Sequence, residues 1–87
     1  MASKTSIIAA IEAKVVTYGY YRIGLTHDLT ERKTYWAGQE SVQYWVDWKA
    51  DSLSDAQDIE KFFINKGMKG GTGGNLSALK TTFVYVF

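Results

Sequence analysis

The 87-residue chain has no cysteine, no proline and a single histidine, His27. Without thiols there are no disulfide staples, thiolate metal sites or cysteine nucleophiles, so the fold rests on packing alone, and a reducing compartment is compatible with it. Without a second imidazole, a zinc site would need carboxylates only, which zinc disfavours, and His27 is read as a surface turn residue. No segment approaches the ~18 apolar residues of a membrane span. Met1-Ala2-Ser3-Lys4 leads into no long apolar run, so the expectation is a soluble, cytoplasmic protein without membrane contact. Charge of one sign is lacking too: the net charge of +1 predicts no general affinity for polyanions. Its distribution is uneven, however. Residues 40–60 carry Glu40, Asp47, Asp51, Asp55, Asp58 and Glu60 against Lys49, whereas residues 61–87 carry Lys61, Lys66, Lys69 and Lys80 with no acid.

Aromatic side chains are abundant. Trp36, Trp45 and Trp48 stand with six tyrosines and four phenylalanines, and each ring can bury a large area. At this length the chain is expected to form one domain over residues 1–87, near the size at which a core suffices without staples.

Periodicity then orders the elements. Ile7, Ile8, Ile11 and Val15 recur at helical spacing between Thr5 and Val16, predicting an amphipathic first helix. Residues 19–26 alternate as a strand, with Tyr21, Ile23 and Leu25 on a core face and Tyr20, Arg22 and Gly24 on the other. Asp28 with Glu31 three residues on forms a capping pair, starting a helix at Leu29 that runs to about Trp36 and stops at Gly38. Val42 to Ala50 alternates as a second strand whose wet parity holds Gln43, Trp45, Asp47 and Lys49. Ser54 with Gln57 predicts the cap of a third helix, with a stripe of Ala56, Ile59, Phe62 and Phe63, Glu60 at its edge, and an end at Gly67. The glycine-rich run from Gly67 to Gly74 is read as a loop, with Asn75 capping a short turn beyond it. Thr81 to Phe87 is apolar on both parities, which suits a strand central in the sheet or covered on both faces. The expected fold class is α+β, with order α-β-α-β-α-β and a three-stranded, mainly antiparallel sheet packed by helices.

The stretch from Tyr20 to Arg32 resembles the core of the GIY-YIG nuclease family. Gly24, Thr26, Asp28, Leu29 and Arg32 fall in register on its pattern of aromatic-Ile-Gly, threonine, Asp-Leu and a helical arginine. Ala56 four residues ahead of Glu60 is similar to the family's later helix, whose glutamate sits beside a metal. Arg22 stands where the family has its second signature tyrosine, Trp36 where histidine is common, and no Gly-Ile-Tyr strand precedes the match. A circular permutation would supply that strand from Phe83 to Phe87, with Tyr85 nearest the first signature tyrosine. It requires this strand to lie beside residues 19–26.

The resemblance implies a candidate catalytic set of Arg32 as phosphate clamp, Glu60 as ligand to Mg²⁺, and Tyr85 or Tyr20 as the hydroxyl. Arginine cannot serve as a base near neutral pH, so the tyrosine role is lost at Arg22. Tyr20, two residues back, would place its hydroxyl ~6 to 7 Å away. Structural readings stand beside these: Arg32 can pair with Asp28 or Glu31 on its own helix, Glu60 can sit in an ion pair at the core boundary, and Trp45 can be covered by a helix. Three functions are thereby defined. One is a module binding DNA or RNA through Arg22, Arg32, Trp45 and Lys69 after loss of cleavage, needing no cofactor. Another is a Mg²⁺-dependent endonuclease. The third is a domain that binds a protein partner through exposed aromatics.

Overall fold

The computed structural model describes residues 3–70 and 76–87. Helix α1 (Lys4–Lys14), a 3-10 turn (Tyr18–Tyr20), strand β1 (Arg22–Thr26), helix α2 (Leu29–Ala37), strand β2 (Val46–Lys49), helix α3 (Leu53–Asn65), strand β3 (Lys69–Gly70) and strand β4 (Phe83–Val86) follow in order. They build a four-stranded mixed sheet ordered β2-β4-β1-β3. Both β1 and β2 run antiparallel to β4, and β3 joins the far edge of β1 in parallel. The fold is therefore α+β, as expected, but with a fourth strand.

β4 is central, and its two parities enter two cores. Val84 and Val86 join Ile23 and Leu25 beneath α1 and α3, with Ile7, Ile11, Ile59 and Phe63. Tyr85 and Phe87 face the other way and pack with Trp36 of α2. The double apolar parity in the sequence thus reflects a strand covered on both sides. β4 lies against β1, pairing Gly24 with Tyr85 and Leu25 with Val84.

Several boundaries differ from the expectation. Residues 18–20 are a turn, closed by the Tyr21 N–H on the Tyr18 carbonyl at 3.0 Å, so β1 starts at Arg22. β2 starts at Val46 because that residue meets Val86, the last residue of β4. Residues 42–45 have no strand to pair with and form a turn closed from Trp45 N–H to the Val42 carbonyl. α3 is capped by Ser52, whose hydroxyl accepts from Asp55 N–H at 3.1 Å, rather than by Ser54. At α2, Asp28 does cap Glu31 N–H at 3.0 Å, but the return bond to Asp28 N–H comes from the Thr26 hydroxyl rather than from Glu31.

Gly67 closes α3 as foreseen. At φ +113°, it lets its own N–H reach the Ile64 carbonyl and Met68 N–H reach that of Phe63, the paired bonds of a Schellman ending. The chain so reversed lays Lys69 and Gly70 along β1, so part of the stretch expected to be loop is strand. Gly71 to Gly74 and the Asn75 cap lie outside the described residues. His27 is more than a turn residue. Its Nδ1 donates to the Thr81 carbonyl and its Nε2 accepts from Ser77 N–H, both at 2.8 Å, bracing the turn before α2 against the approach to β4.

Candidate functional site

The candidate site is organised by one phenol. Tyr85 is fully buried, and its ring lies across Gly24 of β1, where any Cβ would overlap the phenol. From α2, the Trp36 indole N–H donates to the Tyr85 hydroxyl at 2.9 Å. Trp45, leaving its turn, stacks on the Tyr85 ring with centroids 4.6 Å apart and planes within 7°. Its indole N–H is held by Asp47 at 2.9 Å. The phenol is thus sandwiched between the sheet and an indole, and its oxygen already has a donor.

Charges gather around that hydroxyl. Burial raises the Tyr85 pKa above its ordinary 10.0; the Trp36 hydrogen bond, Arg32 and Arg22 pull it down, and Glu60 pushes it up. Arg32 and Glu60 thus lie within electrostatic range of the Tyr85 hydroxyl, although α2 and α3 cover opposite faces of the sheet. Arg32 and Trp36 are four apart and share a helix face, which brings both toward Tyr85. The guanidinium of Arg32 lies 5.2 Å from the Tyr35 ring centre. Among the described residues Arg32 makes no ion pair, since Asp28 spends its carboxylate on the cap. Its Nε is buried without an acceptor.

The remaining expected residues are distributed unevenly around this centre. Arg22 is tied down: its Nε and Nη2 both reach Glu40 Oε2 at 3.2 Å, Nη1 donates to the Gly70 carbonyl, and the guanidinium lies 4.5 Å over Trp36. Trp45 gives one face to Tyr85 and has Lys33 Nζ 5.9 Å from its ring centre. Tyr20, 83% exposed on the 3-10 turn, borders a cavity whose wall includes Phe87. Lys69 is exposed on β3.

Three contributors were not singled out from the sequence: Gly24 as clearance for the phenol, Trp36 as its donor, and Glu40 as the partner of Arg22. The four-residue spacing of Arg32 and Trp36 was the readable signal for the second. Nothing local announced the others.

Glu60 sits at the edge of the α3 stripe, partly buried, and burial alone raises its pKa above the ordinary 4.5. The native state then holds this proton more tightly than the unfolded chain. Its contribution to stability is complete below about pH 4.5 and is lost as pH rises through the folded pKa, so ionised Glu60 costs stability at neutral pH. Glu60→Gln is expected to melt higher than the unaltered protein at neutral pH and to match it once both are neutral in acid. Thermal melts across this pH range check the crossover, and a Gln variant that melts lower at neutrality contradicts it.

As a metal ligand, Glu60 would offer one hard oxygen, and no cluster of three or more His, Cys, Asp or Glu capable of holding an ion exists among the described residues. That donor set fits Mg²⁺ only with water and a substrate phosphate completing the octahedron. No family model, curated protein or solved structure matches the chain. No helix of the described residues is long and apolar enough to cross a membrane.

Proposed function

We propose that the domain is a nucleic-acid-binding module resembling a permuted GIY-YIG nuclease that has lost cleavage. The observation that carries this reading is the buried Arg32 Nε, which lacks an acceptor among the described residues. A buried donor of this kind is costly to leave unmade, and a planar guanidinium fork is suited to phosphate oxygens. Lys33, next to Arg32 on α2, and Lys69 on β3 are both exposed and add positive charge for a polyanion.

The same geometry supports loss of cleavage. A base must reach the water it activates, whereas the Tyr85 hydroxyl is buried, bonded to Trp36 and held protonated well past neutrality. At the position resembling the second signature tyrosine, Arg22 is locked to Glu40. If Mg²⁺ joins the site it would be held by Glu60, and it would supply charge stabilisation at the phosphate.

Titration of labelled single- and double-stranded oligonucleotides at two salt concentrations tests the reading. Affinity is expected to fall steeply with salt, and Arg32→Ala to weaken binding about tenfold while reducing the salt slope by about one. Arg32→Lys is expected to recover the slope better than the affinity, because the point charge remains and the fork does not. Plasmid held with Mg²⁺ or Mn²⁺ is expected to stay intact. Nicking by the unaltered protein but not by Glu60→Ala would establish the endonuclease instead. Absence of salt-dependent binding would leave a protein-interaction domain.

A further inference from the structure

Beside the Tyr85 centre, a cavity of about 310 Å³ opens between the 3-10 turn and the segment joining α2 to β2. Tyr20, Tyr21, Glu40, Ser41, Tyr44 and Phe87 line it. Two of these rings are unusually open to solvent for their type, Tyr20 at 83% and Tyr44 at 65%. Phe87 forms the inner wall and is itself stacked with Trp45, 5.3 Å between ring centres, so the cavity is continuous with the aromatic cluster around Tyr85.

Its polar groups are specific. Arg22 places both Nε and Nη2 on one oxygen of Glu40, Oε2, each at 3.2 Å. The other, Oε1, has no hydrogen-bond partner among the described residues. The Ser41 hydroxyl accepts from Gln43 N–H at 3.4 Å and keeps its own proton to donate. Because Arg22 offsets the charge of Glu40, the cavity carries little net charge. It therefore favours neither a free cation nor a phosphate. Aromatic walls around one vacant acceptor and one donor suit a neutral, flat ring bearing an N–H group.

We propose that this cavity is a nucleobase subsite, which takes an unstacked base carrying an exocyclic amine between Tyr20 and Tyr44, with the amine donating to Glu40 Oε1. The inference rests on the nucleic-acid reading above and names the part of the ligand other than its phosphates. Cytosine, adenine and guanine each offer an amine of this kind. Uracil and thymine offer one donor flanked by two carbonyl oxygens, which a carboxylate repels. Phosphate contacts position a strand without reading it, so this subsite would supply the base preference.

NMR titration of the unaltered protein with free cytidine and with free uridine tests it, since nucleosides carry no phosphate. Saturable shifts of Tyr20 and Tyr44 ring signals are expected with cytidine, with affinity about tenfold above uridine, the discrimination typical of a hydrogen bond to a charged acceptor. Tyr44→Ala, at a largely exposed position, is expected to weaken cytidine about tenfold through lost stacking. Glu40→Gln is expected to narrow the preference for cytidine over uridine. Equal binding of the two nucleosides, no shift with either, or equal saturation by tetramethylammonium would overturn the subsite. If salt-dependent oligonucleotide binding persists in that case, the base pocket alone falls. If it is absent as well, the nucleic-acid reading falls with it.

Discussion

Gly24→Ala is expected to destabilise the domain by about 3 kcal/mol, at the upper end of the usual cost of overpacking a core. In a domain this small that corresponds to a fall in melting temperature on the order of 15 °C. The cause is local. Gly24 pairs directly with Tyr85, and the phenol occupies the space a Cβ would need. The flat ring cannot retreat, because Trp45 is stacked on it and Trp36 holds its oxygen. Gly19→Ala is the control, since nothing lies within 4 Å of a Cβ there, and it should melt with the unaltered protein. In a Tyr85→Ala background the cost of Gly24→Ala should largely vanish, giving strong non-additivity between neighbours. Additive costs in the double variant would show that the glycine serves some other need.

Trp36→Phe is expected to cost about 2 to 3 kcal/mol. Removing the indole leaves the buried Tyr85 hydroxyl without its donor, a penalty of about 1 to 3 kcal/mol for a stranded polar group, and shrinks a side chain that is 5% exposed. It also shrinks the aromatic surface over which Arg22 lies. A spectroscopic consequence separates this from simple loss of volume. The Trp36 hydrogen bond lowers the Tyr85 pKa against burial, which raises it, so in Trp36→Phe the phenol should titrate higher still. Because the folded pKa exceeds the unfolded one, the stability supplied by this group is complete below the unfolded pKa and lost as pH rises through the folded value. NMR of tyrosine ring signals across alkaline pH reads the shift directly. A Tyr85 titration unmoved by the substitution would contradict the hydrogen bond.

Much of the fold was legible in the chain, for identifiable reasons. The helices carry their own punctuation: Asp28 caps α2, and Gly67 ends α3 with the positive φ that favours glycine. The apolar run from Phe83 to Val86 announced a strand covered on both faces. Local signals failed where a partner sets the limit. β2 alternates from Val42, yet pairs only from Val46, where β4 offers a neighbour. Lys69 and Gly70 become strand only because the end of α3 delivers them to the open edge of β1.

The candidate site divides along the same line. Arg32, Glu60 and Tyr85 were singled out through the family resemblance, and the fold sets Arg32 and Glu60 on helices that cover opposite faces of the sheet, each within electrostatic range of the Tyr85 hydroxyl. The Glu40 partner of Arg22 lies 18 residues away, and only the folded chain brings the two together. The sandwich of Trp45 on Tyr85 likewise depends on a turn that strand alternation had hidden.

Arg32, free of any ion pair among the described residues, is the proposed phosphate contact beside Tyr85. The most direct test follows the arginine Nε–H and tryptophan indole N–H signals of labelled protein as a short oligonucleotide is added. The account predicts that the Arg32 Nε–H and Trp36 indole signals move together, saturate, and return toward their free positions as salt is raised. Binding that leaves the Arg32 Nε–H signal in place, or no binding at low salt, would contradict it.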